Sequence, residues 1–423
     1  MVDFLPFRGI RYNAGVAGPV GHLICPPYDV ISSGKEQDLL ARSPHNMVRL
    51  ELAELDGPAP SGRYEDAAAA FSKMLADGAL RQDERAAYYV LRQRFNVQGE
   101  ERERVGLFGA LRLETLGRGV LPHEDTAAGP KEDRLALMKE TQANFSPIMM
   151  LYRDPSGAVA QVLTDAMGAH EPVADMEVDG EVFTLWAVDS NAQVSAIKRA
   201  TGPQPVYIAD GHHRYETAVA YRDAIGGAKD APTAFQLVCL IAFDDPGLLI
   251  QPYYRVVHSL DDASLGKLRD LLSTLFRAQV IAVSGASSLD EAVAMAGRGQ
   301  VALGVVEQGK PPALLTPTDG TVPTPDAAAS PTQQAGAVEA NVLQEMLFRP
   351  VMGDSFPDYV AYEHDGAEAL AMVERGEGQM AFFIKGVPAD AFESVVGAGI
   401  RLPRKSTYFH PKLPAGLVIN PLY

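Results

Sequence analysis

Apolar residues recur along the chain with the periods of strands and helices, and the two patterns alternate. The β-branched and aromatic run at residues 206–208 predicts a buried strand, and helical spacing of apolar residues at 215–222 predicts the helix that follows. A long apolar run at 233–243 predicts another buried strand, whereas residues 64–77 predict an amphipathic helix that ends before Gly78. Strands that alternate with helices predict an α/β (α+β) fold with a mixed sheet.

Two further strand patterns come earlier in the chain. The runs 87–95 and 104–113 are separated by a short polar connection and predict a β-hairpin. Residues 44–52 alternate apolar with polar side chains after Met47, which predicts a half-buried strand. Glu51 faces away from the apolar side of that strand. It is therefore either a general base for a substrate hydroxyl or a solvated charge.

The patterns divide the chain into three segments. Its 423 residues leave room for about two or three domains. Residues 1–260 form the predicted core, with a hairpin and helix region at about 85–190 as an insertion. Residues 261–337 predict an added, smaller α/β unit that ends in a loop rich in Pro and Thr. Residues 338–423 predict a C-terminal segment that folds back on the core.

The turn between the central strand and helix is the run Asp210-Gly-His-His-Arg214. The first backbone N–H groups of a helix lack intrahelical partners and carry a partial positive charge, so they favour an anion. Gly211 lets the backbone approach a ligand, and Arg214 offers two parallel donors to a phosphate. His212 and His213 add donors. Asp210 is an acid/base or metal-binding group, or an ordinary helix cap.

Two other segments concentrate polar side chains. In both segments these side chains could contact a substrate or a phosphate. The alternative for the first segment is a helix start with its own ion pairs, and the alternative for the second is a basic edge strand. The candidates for substrate binding are His123, Glu124, Lys131, Arg134, Asn144 and Ser146. The candidates for phosphate contact are Lys405, Ser406 and Thr407, which lack the Gly-rich loop of a P-loop. Asp29 follows a double proline and either points into the same cavity as the turn or starts a short helix.

The charge of the chain limits its partners. A formal net charge of −17 and the lack of a basic stripe argue against nucleic-acid binding, which depends on Lys and Arg. The sequence has no run of about eighteen apolar residues and no secretory signal, which argues against a membrane protein. Its two cysteines, Cys25 and Cys239, fit a reducing compartment and lack metal-ligand spacing. A cytoplasmic protein without a structural metal is therefore expected.

The run Ala-Asp-Gly-His-His-Arg-Tyr-Glu-Thr-Ala at residues 209–218 resembles the signature of domain of unknown function family 1015 (DUF1015), found in bacteria and archaea. The resemblance covers most of the chain, with several distinct motifs in the same order. It implies no activity, because the activity of the family is unknown. The other matching segments are residues 25–31, 123–124, 130–134, 143–147, 245–250 and 405–412.

The turn at 210–214 is also similar to the phosphate-binding turn of the ParB/sulfiredoxin-like fold. Members of that fold include nucleotide hydrolases, a sulfinic-acid reductase and free-serine kinases. The resemblance implies a strand, a turn and a helix that together hold nucleotide phosphates. The DNA-binding role of ParB fits an acidic chain poorly. A sulfiredoxin-like redox role also fits poorly, because this turn has His where that chemistry needs Cys.

These observations favour a phosphotransferase that moves a phosphoryl group between a nucleotide (ATP or ADP) and a small hydroxyl metabolite such as free serine or phosphoserine. In this role Asp210 binds Mg²⁺ or assists the base, Glu51 or Asp29 accepts the hydroxyl proton, and His213 is a further catalytic candidate. Mg²⁺ is expected because nucleotide phosphates bring it and it needs only one or two protein carboxylates. The alternatives are a nucleotide-binding switch without turnover and a phosphoester hydrolase. The expected partners are a nucleotide and a small-molecule substrate. The sequence is also compatible with a homodimer.

Overall fold

The computed structural model describes residues 2–52, 62–97, 99–126, 129–202 and 204–423. These residues form two units, each with its own sheet. The first unit comprises Met1–Pro122, Thr126–Leu248 and Pro411–Tyr423. The second unit comprises His123–Asp125 and Leu249–His410. The last segment of the chain therefore returns to the first unit after the second unit is complete.

Strands and helices alternate along both units. The strands are β1 (Phe4–Leu5), β2 (Ile10–Tyr12), β3 (Leu80–Gln82), β4 (Tyr88–Val97), β5 (Glu100–Arg112), β6 (Val120–Leu121), β7 (Ala143–Asn144), β8 (Ile148–Tyr152), β9 (Ala174–Val178), β10 (Glu181–Val188), β11 (Val206–Asp210), β12 (Phe235–Ala242), β13 (Leu249–Gln251), β14 (Tyr254–Val257), β15 (Phe276–Val280), β16 (Leu303–Glu307), β17 (Ala313–Pro317), β18 (Val360–Glu363), β19 (Met380–Phe383), β20 (Tyr408–His410) and β21 (Asn420–Pro421). The α-helices are α1 (Ala14–Ala17), α2 (Ser33–Arg42), α3 (Val48–Glu51), α4 (Arg63–Ala76), α5 (Gly129–Thr141), α6 (Ala158–Ala169), α7 (Asn191–Thr201), α8 (His212–Ile225), α9 (Asp262–Leu275), α10 (Ala286–Ala296), α11 (Pro331–Gly336), α12 (Glu339–Val342), α13 (Arg349–Met352), α14 (Gly366–Glu374) and α15 (Ala389–Gly397). Within the part of the chain that the structure describes, none of the helices combines the length and the apolar character needed to cross a bilayer.

The first unit is built on a nine-stranded mixed sheet. Eight strands follow the order β6-β11-β8-β12-β5-β4-β10-β9, and β1 pairs with β5. The hairpin β4–β5 is antiparallel, whereas β12 pairs with β8 in parallel and β11 pairs with β6 in parallel. The predicted hairpin and the predicted mixed sheet are both confirmed, and the fold class is α/β.

The core of the first unit lies where α6, α7 and α8 pack on the central strands. All five residues of β8 are buried, as are Leu163 in α6, Ile197 in α7 and Tyr215 in α8. A strand that is buried on both faces carries a continuous apolar run instead of an alternating one. Each fully buried aliphatic side chain contributes roughly 1.5–3 kcal/mol relative to an exposed one. This packing holds β11 and α8, and hence the turn between them, in a rigid part of the fold.

The second unit has a separate antiparallel sheet and a separate core. Its six strands follow the order β15-β17-β16-β19-β14-β18, and β13 pairs on its own with β20. Val256 of β14 and Phe383 of β19 pack with Leu289 and Val293 of α10. Ala369 and Val373 of α14 belong to the same core, so apolar faces of two helices cover the central strands.

The strand predicted over residues 44–52 is wrong, because the structure has the short helix α3 there. Asn46 explains the difference. Its Oδ1 atom accepts a hydrogen bond from the Val48 backbone N–H at 2.9 Å, and its Nδ2 atom donates to the His22 carbonyl at 2.8 Å. An Asn side chain that bonds the backbone two residues on favours a turn over an extended strand.

Asp290 gives the second unit a predicted dependence of stability on pH. Burial raises the pKa of the Asp290 carboxyl from 3.8 to about 6, although Tyr254 donates a hydrogen bond to it at 2.9 Å. Between these two pH values the folded state binds more protons than the unfolded state, so the free energy of unfolding falls as pH rises and is constant above about 6. Asp290→Asn is expected to remove this fall of roughly 1–3 kcal/mol.

Melting of the Asp290→Asn variant and the wild type at pH 4 and pH 7 checks this prediction. The variant is expected to melt higher than the wild type at pH 7 and to lose that advantage toward pH 4. Asp319→Asn is the control, because the Asp319 side chain is 97% exposed. Equal pH dependence in Asp290→Asn and wild type would show that Asp290 is ionised in the folded protein at low pH.

Candidate functional site

The central turn joins β11 to α8 through Gly211. The residues of β11 before Asp210 are buried, and α8 begins at His212. Gly211 has a φ of 99°, in the left-handed region that residues with a side chain rarely adopt. A Cβ atom at this position would also lie 3.0 Å from Arg214 Nε and 3.1 Å from Arg214 Cζ. Glycine is therefore required both by the backbone conformation and by the close approach of the guanidinium.

Two cationic side chains meet at the carboxylate of Asp210. Arg214 Nη2 donates to Asp210 Oδ2 at 2.5 Å, and Lys412 Nζ donates to Asp210 Oδ1. Arg214 Nη1 also donates to the carbonyl of Pro147. The Arg214 and Lys412 side chains are each 9% exposed, so water screens their charges weakly. One carboxylate that faces two cations and a helix N-terminus leaves a net positive potential at the turn.

A second buried carboxylate, Glu51, lies at the end of α3. Its Oε1 atom accepts a hydrogen bond from Ser146 Oγ, and its Oε2 atom accepts from Arg134 Nη1 at 3.0 Å. Arg134 Nη1 also donates to the Glu51 carbonyl oxygen at 2.7 Å. Glu51 is 3% exposed. Its predicted place on the outer face of a strand is therefore wrong, because α3 turns the side chain inward toward Arg134.

Arg134 is held in place by partners on two sides. Its Nε atom donates to Asp133 Oδ2 at 2.7 Å, and its guanidinium carbon lies 4.3 Å from the ring centroid of Tyr28. Asp133 in turn accepts hydrogen bonds from Arg63 Nη2 and from the Tyr64 hydroxyl, each at 2.8 Å. The arginine that contacts the buried carboxylate is therefore itself fixed in orientation.

Tyr28 lies in the electrostatic field of both carboxylate clusters. Burial raises the pKa of the Tyr28 phenol, and the charges of Asp29 and Glu51 raise it further. The charges of Arg214 and Arg134 act in the opposite direction and lower that pKa. Asp29 is exposed and lies in a 3₁₀ turn. Glu51, Arg134 and Arg214 also line one small cavity, so the central turn and the Glu51 network are neighbours.

Lys131 contacts a carboxylate on α8. Lys131 Nζ donates to Glu216 Oε2 at 2.8 Å and to Thr126 Oγ1 at 3.0 Å. Burial raises the pKa of the Glu216 carboxyl, but the hydrogen bonds from Lys131 and Thr126 and the charge of His213 outweigh burial and lower it. His212 and His213 are both partly buried in the first turn of α8. The structure thus brings Lys131 to the helix that starts at the central turn.

A separate polar cluster lies in the second unit. Thr407 Oγ1 and Glu124 Oε1 lie 2.8 Å and 3.1 Å from His123 Nε2. The backbone N–H of Lys405 donates to Glu124 Oε2 at 2.8 Å, and Ser406 Oγ donates to a backbone carbonyl at 2.5 Å. These contacts join residues from two segments that are far apart in sequence. Phosphate or substrate binding by this cluster stays a prediction.

The predicted site residues are divided between the two units. Those in the first unit are Asp29, Glu51, Lys131, Arg134, Asn144, Ser146, Asp210, Gly211, His212, His213 and Arg214. Those in the second unit are His123, Glu124, Lys405, Ser406 and Thr407. Lys412 was not among the predicted site residues. Its position in the same basic segment as Lys405 is the feature of the sequence that could have identified it. Gln236 was not among them either, and its signal is a single amide inside the apolar run 233–243.

Asp210 is the predicted Mg²⁺ ligand. Within the described ranges no three His, Cys, Asp or Glu side chains are grouped so as to hold a metal ion. Mg²⁺ that arrives with a nucleotide takes most of its ligands from phosphate and water, so one carboxylate suffices. Both oxygens of Asp210 accept hydrogen bonds from cations, namely Arg214 and Lys412. Asp210 can therefore bind a metal ion only if Arg214 and Lys412 move away from it to phosphate oxygens. Its role as a metal ligand stays a prediction.

Known proteins resemble this chain at the level of family and, weakly, of structure. A family model described as protein of unknown function (DUF1015) matches residues 4–335. A conserved hypothetical protein from Pyrococcus furiosus is 15% identical, with a TM-score of 0.36 over 70% of this chain and 90% of that chain. A free serine kinase in complex with AMP is 13% identical, with a TM-score of 0.34 over 70% of this chain and 92% of that chain. SbnI with a C-terminal truncation, from Staphylococcus aureus, is 9% identical, with a TM-score of 0.36 over 72% of this chain and 84% of that chain. No curated protein matches the chain.

Proposed function

This chain belongs to the DUF1015 family, and we propose that it is a phosphotransferase that moves a phosphoryl group between a nucleotide and a small hydroxyl metabolite. One observation carries the proposal: two buried cations, Arg214 and Lys412, meet at the start of α8, and Arg214 lines one cavity together with the buried carboxylate of Glu51. Phosphoryl transfer requires cations around the phosphate and a group that receives the hydroxyl proton, and it requires little covalent chemistry from the protein. All three side chains belong to the first unit.

The first turn of α8 is the proposed phosphate site. Its backbone N–H groups favour an anion, and Gly211 has no side chain to block the approach of one. Asp210 holds Arg214 and Lys412 in position until a phosphate replaces it as their acceptor. Each charge-assisted hydrogen bond to the phosphate contributes about 1.5–3 kcal/mol, and the loss of the corresponding bond to Asp210 offsets part of this gain. Mg²⁺, brought by the nucleotide, would neutralise further phosphate charge.

Glu51 is the proposed general base. In the transfer step the acceptor oxygen forms a bond to the terminal phosphorus, the bond from that phosphorus to the nucleotide oxygen breaks, and the hydroxyl proton passes to the Glu51 carboxylate. Arg134 orients this carboxylate through its hydrogen bond to Oε2. Free serine and phosphoserine are the first pair to test, because the turn at 210–214 resembles that of free-serine kinases.

Ligand-dependent melting of the purified protein tests the phosphate site. ATP, ADP, CTP and phosphoserine are compared with and without Mg²⁺ on the wild type and on Arg214→Ala. A ligand at about a hundredfold excess over its Kd should stabilise the protein by roughly 2.7 kcal/mol. The control is Arg222→Ala, because Arg222 lies in the last turn of the same helix. The shift is expected in the wild type and in Arg222→Ala, and it should be absent in Arg214→Ala.

The acceptor is then identified by ³¹P NMR of mixtures with nucleotide. A phosphorylated alcohol that forms only in the presence of nucleotide supports the phosphotransferase. Tight nucleotide binding without turnover of any alcohol indicates a nucleotide-binding switch instead, and phosphate release from a phosphoester without nucleotide indicates a hydrolase. No thermal shift with any of these ligands contradicts the phosphate site itself.

A further inference from the structure

A small cavity lies inside the first unit, lined by residues of α5, β7 and the start of β12. Its volume is about 40 Å³, and Glu51, Ser146 and Arg214 of the site described above form part of its wall. Arg134, Asn144 and Gln236 complete the polar lining. A water molecule needs roughly 10–15 Å³ of such space, so the cavity has room for about two or three non-hydrogen atoms.

The amides of Asn144 and Gln236 each present one atom that has no hydrogen-bond partner among the described residues. These atoms are Asn144 Nδ2, a donor, and Gln236 Oε1, an acceptor. Asn144 is 4% exposed and Gln236 is 1% exposed, so bulk water does not satisfy them. A native fold leaves few buried polar atoms without a partner, and each such atom therefore requires an explanation.

The remaining atoms of the two amides fix which end faces the cavity. Asn144 Oδ1 accepts from the Leu237 backbone N–H at 3.1 Å and from Asn420 Nδ2 at 3.0 Å. Gln236 Nε2 donates to the Leu237 carbonyl at 3.2 Å. Because a backbone N–H only donates and a carbonyl only accepts, exchanging N and O in either amide would break these bonds. The donor of Asn144 and the acceptor of Gln236 are thus the amide atoms that remain available, and both residues line the cavity.

The two amide atoms select the chemistry of their partner. A hydroxyl group accepts from Asn144 Nδ2 and donates to Gln236 Oε1 at the same time. A carboxylate has no proton to donate, an ammonium has no lone pair to accept with, and a methyl group does neither. The volume leaves space for the hydroxyl oxygen and the carbon that bears it, but only little more. Water has the same hydrogen-bonding chemistry as this group.

We propose that the cavity binds the hydroxymethyl group of a primary alcohol and that Asn144 and Gln236 are specificity-determining residues for the acceptor. This inference rests on the proposed phosphotransferase function. A hydroxyl hydrogen rotates about the C–O bond, so the proton that first points to Gln236 Oε1 turns to Glu51 in the same wall when it is transferred. Gln236 therefore contributes to binding of the acceptor and not to the chemical step.

Gln236→Met tests the role of the amide. The KM for L-serine, or for ethanolamine if it is the better acceptor, is expected to rise roughly 10- to 100-fold, whereas kcat and the nucleotide Kd change by less than about threefold. Gln236→Met loses the hydrogen bond from Nε2 to the Leu237 carbonyl, but it also removes the buried Oε1 atom that has no partner among the described residues. Because these two effects oppose each other, the melting temperature of the ligand-free protein is expected to stay close to that of the wild type. Unchanged or increased stability together with an increased KM is a combination that a purely structural residue would not give.

Gln93→Met is the matched control. Gln93 is also 1% exposed and lies in β4 of the same sheet, but both ends of its amide are used. Its Nε2 atom donates to Glu181 Oε2 at 2.5 Å, and its Oε1 atom accepts from Arg104 Nη2 at 2.6 Å. Gln93→Met is therefore expected to lower the melting temperature and to leave the KM for the acceptor unchanged.

The size of the cavity is tested with alcohol pairs that differ by one methyl group on the carbinol carbon. L-serine is compared with L-threonine, and ethanolamine with 1-amino-2-propanol. The primary alcohol of each pair is expected to have a kcat/KM roughly 10- to 200-fold higher, which is the usual effect of one extra carbon in a hydrophobic substrate pocket.

Three results would overturn the inference. If Gln236→Met transfers phosphate to alcohols as the wild type does, the proposed phosphotransferase function stands, but the cavity holds structural water and not the acceptor. Equal destabilisation by Gln236→Met and Gln93→Met would show that the Gln236 amide is already satisfied within the protein. Absence of transfer to every alcohol would overturn the proposed function and this inference with it.

Discussion

Replacing Glu51 with glutamine is expected to slow phosphoryl transfer by roughly 10²–10⁴-fold, the usual contribution of a general base. Glutamine has the same size. Its amide oxygen can accept from Arg134 while its amide nitrogen donates to Ser146 Oγ, but it takes up a hydroxyl proton far less readily. Arg134 keeps its ion pair with Asp133 in this variant, so the fold is expected to persist. Single-turnover transfer rates measure the loss, and calorimetric titration is expected to give a nucleotide Kd within about threefold of the wild type.

Two neighbouring carboxylates serve as controls for the Glu51 variant. Asp29→Asn removes the other base that the sequence offers, and because Asp29 is exposed we expect its rate to fall by less than about threefold. Asp133→Asn removes a partner of Arg134 without altering Glu51, and it is expected to lower the melting temperature more than the rate. Wild-type turnover in Glu51→Gln, or an equal loss in Asp29→Asn, would remove Glu51 from the proposed role.

The central turn could be predicted from sequence because all the information for it is local. The apolar strand, the glycine and the helical spacing adjoin within residues 206–222, and the structure confirms both β11 and α8. The left-handed φ of Gly211 is likewise a property of one residue in one turn. The local sequence pattern was therefore enough to predict this strand, turn and helix.

The other half of the site depends on contacts that no sequence period encodes. Lys412 reaches Asp210 across 202 positions, and Asn144 reaches Leu237 across 93. The alternation around Glu51 predicts a strand, but alternation over so few residues also fits a short helix, and the hydrogen bond of the Asn46 side chain to the backbone favours the helix. Polarity shows which residues carry chemistry, whereas the tertiary fold determines which of them meet.

Lys412→Met is expected to raise the Kd for ATP or ADP by roughly 10- to 100-fold, which corresponds to about 1.4–2.8 kcal/mol. The Lys412 ammonium is buried against Asp210, and in the proposed exchange it turns to a phosphate oxygen. Methionine has a similar length and keeps the packing of the chain, but it removes the charge. Calorimetric titration at one fixed salt concentration measures the change, because binding that depends on charge is sensitive to salt.

Lys405→Met is the matched comparison, since both lysines belong to one basic segment that the sequence marks as a candidate for phosphate contact. Lys405 Nζ lies 4.7 Å from the ring centroid of Tyr253, and this cation–π contact belongs to the second unit. We expect its replacement to change the nucleotide Kd by less than about threefold. A larger loss of affinity in Lys405→Met than in Lys412→Met would assign the phosphate contact to Lys405. The ion pair of Lys412 with Asp210 would then only stabilise the fold, and Lys412→Met would lower the melting temperature without weakening nucleotide binding.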